Sequence, residues 1–320
     1  MPPTAVAPSP LIGEPAPDIA VLIPCRDEEA EVAGVVAGFR AALPQARIYV
    51  YDNSSRDRTG AVARAASAIV RTEPQQGKGN VVNRMFADID AEVYLLVDGD
   101  GTYDPEAAPG LVRQLVANRL DLVNGRRDGG HERRGHDFGN VLLNRIVGHL
   151  FCRRFDDMLS GYKVFSRRFV KSFPALAAGF EIETELTVHA LRLRMPVGEV
   201  PTRYRGRPAS ESKLRTVRDG VRILWTIARL VKGERPLAFF SAAAALHAAL
   251  SVGLAVPILV TFAKTGLVPR LPTAVLAMGV MLLAFLSLAC GLILDTVTRG
   301  RTEMRRLFYL GLPPPGGSGE

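Results

Sequence analysis

Apolar residues in the first part of the chain arrive in short runs, and each run stops abruptly on polar or acidic residues. Ile19 to Pro24 reads IAVLIP and gives way to Cys25, Arg26, Asp27, Glu28 and Glu29, and Arg47 to Asp52 reads RIYVYD before NSSRDRTG. Ala68 to Arg71 leads through Glu73 and Pro74 into QQGKGN, the run VYLLV from Val93 stops at Asp98, Gly99 and Asp100, and Leu120 to Arg126 reads LDLVNGR. Between these runs lie helical stretches ending near Leu43, from about Val81 to Ile89, from Ala107 to Asn118 and from Val141 to Phe151. Strand alternating with helix predicts an α/β fold with a mostly parallel sheet. Uninterrupted apolar strands suit the middle of such a sheet, and its ligands bind at the carboxyl ends of the strands. After Phe151, FDDMLSGYKVFSRRF predicts a carboxylate, a tight turn and a short strand, and FEIETEL a helix or turn with Glu181 and Glu185 on one face.

The pattern changes near the C-terminal end. Leu237 to Phe262 holds no Asp, Glu, Lys or Arg over 26 residues, and Leu271 to Leu294 holds none over 24. As helices these measure about 39 and 36 Å, enough to cross a hydrocarbon core of roughly 30 Å. They predict a transmembrane hairpin, the alternative being two buried helices of a soluble domain. Just before it, Leu214, Val217, Val221, Leu224, Ala228 and Val231 repeat at three-four spacing, with Arg215, Arg218, Arg222, Arg229 and Lys232 in step one residue later. An apolar stripe beside a cationic one predicts an interfacial helix with Trp225 at headgroup level; a helix packed on the first domain is the competing reading. The expected organisation is a disordered tail (1–17), an α/β domain (18–213), a juxtamembrane helix (214–235), a hairpin (237–295) and a tail (296–320).

Charge refines this. Lys and Arg number 40 against 32 Asp and Glu. Ten of the basic residues lie between Arg203 and Arg235, and Arg299, Arg301, Arg305 and Arg306 follow the second apolar run. Clustering beside the hairpin favours anionic lipid headgroups over nucleic acid. Only Lys264 and Arg270 lie in the connecting loop, so both ends are expected on the cytoplasmic side of the plasma (inner) membrane. No signal peptide is legible, and Cys25, Cys152 and Cys290 are too scattered for a disulfide framework or a zinc site.

Candidate chemistry collects at the strand ends. Asp98 and Asp100, separated only by Gly99, bring two carboxylates together, which is costly unless a cation neutralises them; Mg2+ or Mn2+ is expected. A solvated turn is the bland reading of such a motif, and the apolar strand in front weighs against it. Asp52 sits at the corresponding place one strand over. Gly77 and Gly79 around Lys78 would admit a phosphate to backbone N–H groups at a helix start, although the Walker spacing is absent. From Arg126 to Asn140 a polar, cationic stretch suits an anionic ligand or is simply a solvated loop.

Taken together, IPCRDEE, YDNSSRDRT, QGKGNVVNRM, VDGDGTYDP, DMLSGYKVFSRR, FEIETELTVHAL and SESKL, in that order, resemble the family 2 glycosyltransferases of GT-A fold, and among them the polyprenyl-phosphate sugar synthases related to dolichyl-phosphate mannose and glucose synthases. The resemblance covers about residues 19 to 232. It implies nucleotide-sugar contacts from Pro24, Arg26, Glu28, Val50, Asp52, Lys78, Asp98, Gly99, Asp100, Arg126, Arg207 and Lys213, although a Tyr is common where Arg26 stands. Asp98 and Asp100 would hold the metal and diphosphate. Asp157, Asp100 and Arg126 would serve catalysis, and Arg133, Arg134, Asn140, Ser160 and Glu185 the acceptor. Implied with these is inverting transfer of a sugar from a nucleotide-diphosphate donor to a membrane-borne polyprenyl phosphate; the charge clustering beside the hairpin points to no nucleic-acid partner, and two spans leave room for homo-oligomer contacts. UDP-glucose or UDP-N-acetylglucosamine is expected ahead of GDP-mannose. Processive polysaccharide synthases carry a QxxRW motif that this chain lacks, and sugar nucleotidylyltransferases a GxGxR loop that PCRDEEA does not supply. A membrane-anchored nucleotide-binding protein without transfer activity remains the alternative of another class.

Overall fold

The computed structural model describes residues 17–128, 156–174, 179, 181–206, 232–233 and 235–315. These fall into two units, one of residues 1–213 with 305–320 and one of residues 214–304. The expected interfacial helix lies outside the described residues except at its very end.

In the first unit, strands β1 (Ile19–Cys25), β2 (Arg47–Asp52), β3 (Ile69–Thr72), β4 (Val93–Leu96), β5 (Leu122–Asp128), β6 (Lys163–Ser166) and β7 (Val197–Arg203) form one sheet in the order β3-β2-β1-β4-β6-β5-β7. Helices α1 (Val32–Ala42), α2 (Thr59–Ala65), α3 (Lys78–Asp88), α4 (Ala108–Ala117), α5 (Arg167–Ser172) and α6 (Ile182–Arg192) accompany it. The mostly parallel α/β sheet matches the sequence expectation. β1 pairs in parallel with both β2 and β4, and its Ala20, Val21, Leu22 and Ile23 are fully buried, as a central strand covered on both faces requires. Strand order reverses between β1 and β4, and there the crevice of such folds opens.

The exception in direction is β6, antiparallel to both neighbours. Because it runs backwards, the loop before it, Asp156 to Tyr162, lies at the carboxyl edge of β4 and β5. The segment from Asp157 to Gly161 therefore reaches the same edge as Asp98. α1 seals the sheet from one side through Val32, Val36 and Phe39, the last edge-on to Tyr162 at 6.0 Å between ring centres. Each such side chain, fully buried, contributes about 1.5–3 kcal/mol.

Two boundaries shift in ways that bear on the site. α3 begins at Lys78 rather than near Val81, so the glycine loop is already the helix's first turn. β7, for which the sequence pattern predicts no strand, extends the sheet beside β5. Residues 305–315 belong to the first unit as well. There the Tyr309 hydroxyl donates to Asp121 (2.7 Å) and the Arg168 guanidinium lies over the Tyr309 ring at 4.8 Å. Asp121 is fully buried and also accepts from Ser166 and Arg168.

The second unit is built on α7 (Pro236–Thr265) and on α8 (Leu271–Leu310) as far as Met304, both helices being long and apolar enough to cross a membrane. They meet where Ser251 donates to the Ala277 carbonyl at 2.7 Å. α7 ends at Gly266 in the left-handed region (φ 69°), a helix C-terminus that glycine adopts without strain. Beyond Leu294, where the apolar run ends, α8 continues to Leu310.

Candidate active site

Three parallel strands deliver acid to one edge. β1 ends at Cys25 and β2 at Asp52, paired in register, and Asp98 and Asp100 follow β4. The chain after β1 is laced to the chain after β2: Asp27 N–H donates to Ser55 Oγ (3.0 Å), Glu28 N–H to Thr59 Oγ1 (2.9 Å) and Arg56 N–H to Asp27 Oδ1 (2.7 Å). Asp52 caps its own turn by accepting from Ser55 N–H at 3.0 Å. Asn53, nearly buried, donates to the carbonyls of Glu73 and Gln75 and accepts from Gly77 N–H, pinning the start of α3 to the end of β2. Burial, with the fields of Glu28, Asp52, Asp98 and Asp100 added, pushes the Cys25 thiol up. A thiol so buried stays protonated and is a poor nucleophile.

Lys78 answers that charge. Its ammonium bridges Asp98 and Glu183, with the Lys78 side chain 10% exposed and that of Glu183 7%. Burial alone would depress the lysine, but the Asp98 and Glu183 carboxylates outweigh it and raise its pKa, so the amine stays charged. Close approach is enforced by small residues: a Cβ on Gly161 would collide with the Asp98 carboxylate, and one on Gly99 with the Cys25 sulfur. Asp100 is held by Thr102, whose hydroxyl donates to it at 2.6 Å.

Across the crevice, Arg127 Nε and Nη2 donate to the two oxygens of Asp157 at 2.7 and 2.8 Å. Although burial opposes it, Arg127 lowers the Asp157 pKa below the ordinary carboxylate range. The loop carrying Asp157 is tied down by Asn124, which donates to the Asp157 carbonyl, by the fully buried Lys163, which donates to the Met158 carbonyl, and by Ser160, which donates to the Gly125 carbonyl. Tyr103 completes the wall, its hydroxyl accepting from Gly161 N–H at 2.7 Å.

Of the residues singled out from sequence, Pro24, Arg26, Glu28, Asp52, Lys78, Asp98, Gly99 and Asp100 lie along this edge. Val50 is buried in the core two residues below it. Arg126, half exposed, pairs with Asp156 at 2.7 Å, while its neighbour Arg127 takes Asp157. Ser160 is fully buried in its loop contact. Glu185 stays partly exposed on α6, and the glutamate that reaches Lys78 is Glu183. Arg133, Arg134, Asn140, Arg207 and Lys213 lie outside the described residues. The sequence reading passed over Glu183 and Arg127; Ile182 and Leu186, apolar and one turn apart, are the signal that places Glu183 near the inward face of α6.

Residues 20–171 match the sequence profile described as Glycosyl transferase family 2. The glycosyltransferase AglJ of Haloferax volcanii is 30% identical over 304 residues, 92% of this chain and 99% of that protein. The chain belongs to glycosyltransferase family 2. Two further relatives fit: an uncharacterised Shigella flexneri protein is 57% identical across 48% of this chain and 94% of its own length, and the dolichyl-phosphate hexose transferase of Haloferax volcanii is 28% identical across 68% of this chain and 96% of its own. Among solved structures, glucosyl-3-phosphoglycerate synthase of Mycobacterium tuberculosis superposes with a TM-score of 0.55 at 24% identity, covering 68% of this chain and 80% of that one. It shares the GT-A fold with this glycosyltransferase.

Proposed function

We propose that the protein moves a hexose from a nucleotide-diphosphate sugar to a polyprenyl phosphate, inverting the anomeric centre, with UDP-glucose or UDP-N-acetylglucosamine preferred to GDP-mannose as donor. The observation that carries this reading is the crevice at the reversal of strand order, where Asp52, Asp98 and Asp100 stand at strand ends and Lys78 pairs with Asp98, in a chain that also contains two helices long enough to cross a membrane. One relative is named a dolichyl-phosphate hexose transferase, and the fold neighbour has been crystallised with Mn2+ and UDP.

Asp98 and Asp100 fit a divalent ion. Among the described residues no group of three or more His, Cys, Asp or Glu is placed to hold a metal ion; Mg2+ or Mn2+ would be held by Asp98 and Asp100 and completed by substrate phosphates and water. When bound, such an ion neutralises the departing diphosphate. The chain's own residues do the rest. Asp52 accepts from the base, as the family resemblance implies. Lys78 supplies a fixed positive charge where the diphosphate develops its own negative one. Asp157, held ionised by Arg127, orients the acceptor or the sugar instead of taking a proton. No proton need be removed, since a phosphate monoester with a second pKa of about 6 is largely dianionic at neutral pH. Arg126, Arg133, Arg134, Asn140, Arg207, Lys213, Ser160 and Glu185 complete the proposed donor and acceptor contacts. The proposed setting is a multi-pass protein of the plasma (inner) membrane with its catalytic unit in the cytoplasm.

Full-length protein in detergent, given polyprenyl phosphate and in turn UDP-glucose, UDP-N-acetylglucosamine and GDP-mannose with Mn2+ or EDTA, tests this by sugar transfer into the lipid phase. Metal-dependent transfer from one donor is expected. Binding of nucleotide without transfer from any donor would leave the non-enzymatic alternative standing.

A further inference from the structure

Asp98, one of the two carboxylates expected to meet the cation, already has a cation. The Lys78 ammonium occupies it, and the same ammonium also bridges to Glu183, a carboxylate outside every strand-end motif. Lys78 therefore stands between two acids, one facing the crevice with 29% of its side chain exposed and one almost sealed at 7%. The arrangement is rigid at both ends. Lys78 is the first residue of α3, whose start is fixed by Asn53, and Glu183 lies in the first turn of α6, whose inward face is buried. Gly161 lies so close to Asp98 that even a Cβ there would meet the carboxylate.

We infer that Lys78 is the resident counter-ion of the metal site and that Glu183 is a positioning residue, the anion that keeps the lysine when a divalent ion takes Asp98. An ion arriving alone has to displace an ammonium from Asp98 and then sit beside it, at a cost that the second positive charge sets. An ion arriving with a diphosphate brings negative charge that Lys78 can face, so Asp98 is released while the ammonium stays neutralised by Glu183 and phosphate. Metal and donor thus bind as a linked pair, each raising the affinity for the other by the same factor. This rests on the proposed donor and cation, and adds to them the order in which the site fills.

Titration calorimetry of Mn2+ into full-length protein in detergent, with and without saturating UDP, tests it. Wild type is expected to bind Mn2+ alone weakly, and Lys78→Met to bind Mn2+ alone about tenfold more tightly than wild type while losing most of the enhancement that UDP gives. Glu183→Gln is expected to act in the opposite sense: with its second acid gone, Lys78 is committed to Asp98, and Mn2+ alone binds several-fold more weakly than in wild type. Because this variant retains the side-chain shape and the lysine, it reads the same device should Lys78→Met fail to fold. Mn2+ binding to Lys78→Met that is no tighter than wild type, or to Glu183→Gln that is no weaker, overturns the inference while leaving the transferase reading intact. A wild-type protein that takes no Mn2+ even with UDP present removes the metal-dependent reading, and this inference with it.

Discussion

Arg127 grips Asp157 with both arms of its guanidinium, Nε and Nη2 reaching the two carboxylate oxygens at 2.7 and 2.8 Å. The Asp157 side chain is 8% exposed and that of Arg127 25%, so this is a pair largely removed from water. Cutting one partner from such a pair leaves an uncompensated charge, and Arg127→Met is expected to cost about 3 kcal/mol, read from the urea midpoint of the catalytic unit. Asp157→Asn keeps the shape and loses the charge. Transfer is expected to fall about a hundredfold, because an orienting group is lost from the transition state. Full turnover by that variant would show that Asp157 does not orient either substrate.

The Asp157 pair also has a pH signature. Its folded pKa lies below the unfolded one, so the stability it contributes is present above the unfolded carboxylate value and is lost as pH falls through the lowered folded value. Comparing acid unfolding of wild type and Asp157→Asn should show a steeper loss in wild type at the acid end of the curve.

His189 predicts a second dependence at milder pH. Burial, helped by Arg305 and Arg192, drives its pKa down to about 3, and it packs edge-on against Phe169 and Phe173 with Nε2 3.1 Å from Ser172 Oγ. The unfolded chain therefore binds a proton that the folded chain refuses. Below the ordinary histidine value this costs about 1.4 kcal/mol per pH unit until the folded pKa is reached. Thermal unfolding scanned from pH 7 to pH 4 should show that slope in wild type and a shallower one in His189→Phe.

Gly161→Ala asks whether the contact with Asp98 matters to function. The added methyl meets the carboxylate itself. Asp98 has to move, and a displacement near 1 Å in a catalytic group costs on the order of a hundredfold in rate. Transfer and Mn2+ affinity measured in the presence of UDP are expected to fall together, and a variant with wild-type values of both would show that the Asp98 position is not critical.

At the far end of the unit, Tyr309→Phe removes one hydrogen bond to the fully buried Asp121 and leaves the ring beneath Arg168. The expected cost is about 1–3 kcal/mol, the range for an under-satisfied buried carboxylate. Calorimetric unfolding of the two proteins side by side would measure it.

What the sequence disclosed and what it withheld follow from how each residue is held. Asp98 and Asp100 were legible because an apolar strand stops on them, and strand ends are local facts. The same holds for Asp52, and for Lys78 beside its two glycines. Arg127 was not distinguishable from Arg126, since neighbours on a strand point to opposite faces and only the register of β5 in the sheet decides which one meets Asp157. Glu183 lost out to Glu185 for a similar reason: the phase of a short helix is set by what it packs against. β7 went unpredicted because VGEVPTR contains no continuous apolar run and includes a proline, as befits a strand at the edge of the sheet.

The Tyr309 contact carries a parity rule for the chain. Stretches of chain on both sides of the two apolar helices belong to one unit, and Tyr309 ties the later stretch to Asp121 within it. A path that starts and finishes on one side of a bilayer crosses it an even number of times. In the proposed membrane setting, the two apolar helices would therefore enter the bilayer together. In that setting, deleting either helix alone would part Tyr309 from Asp121, so the two helices would work only as a pair.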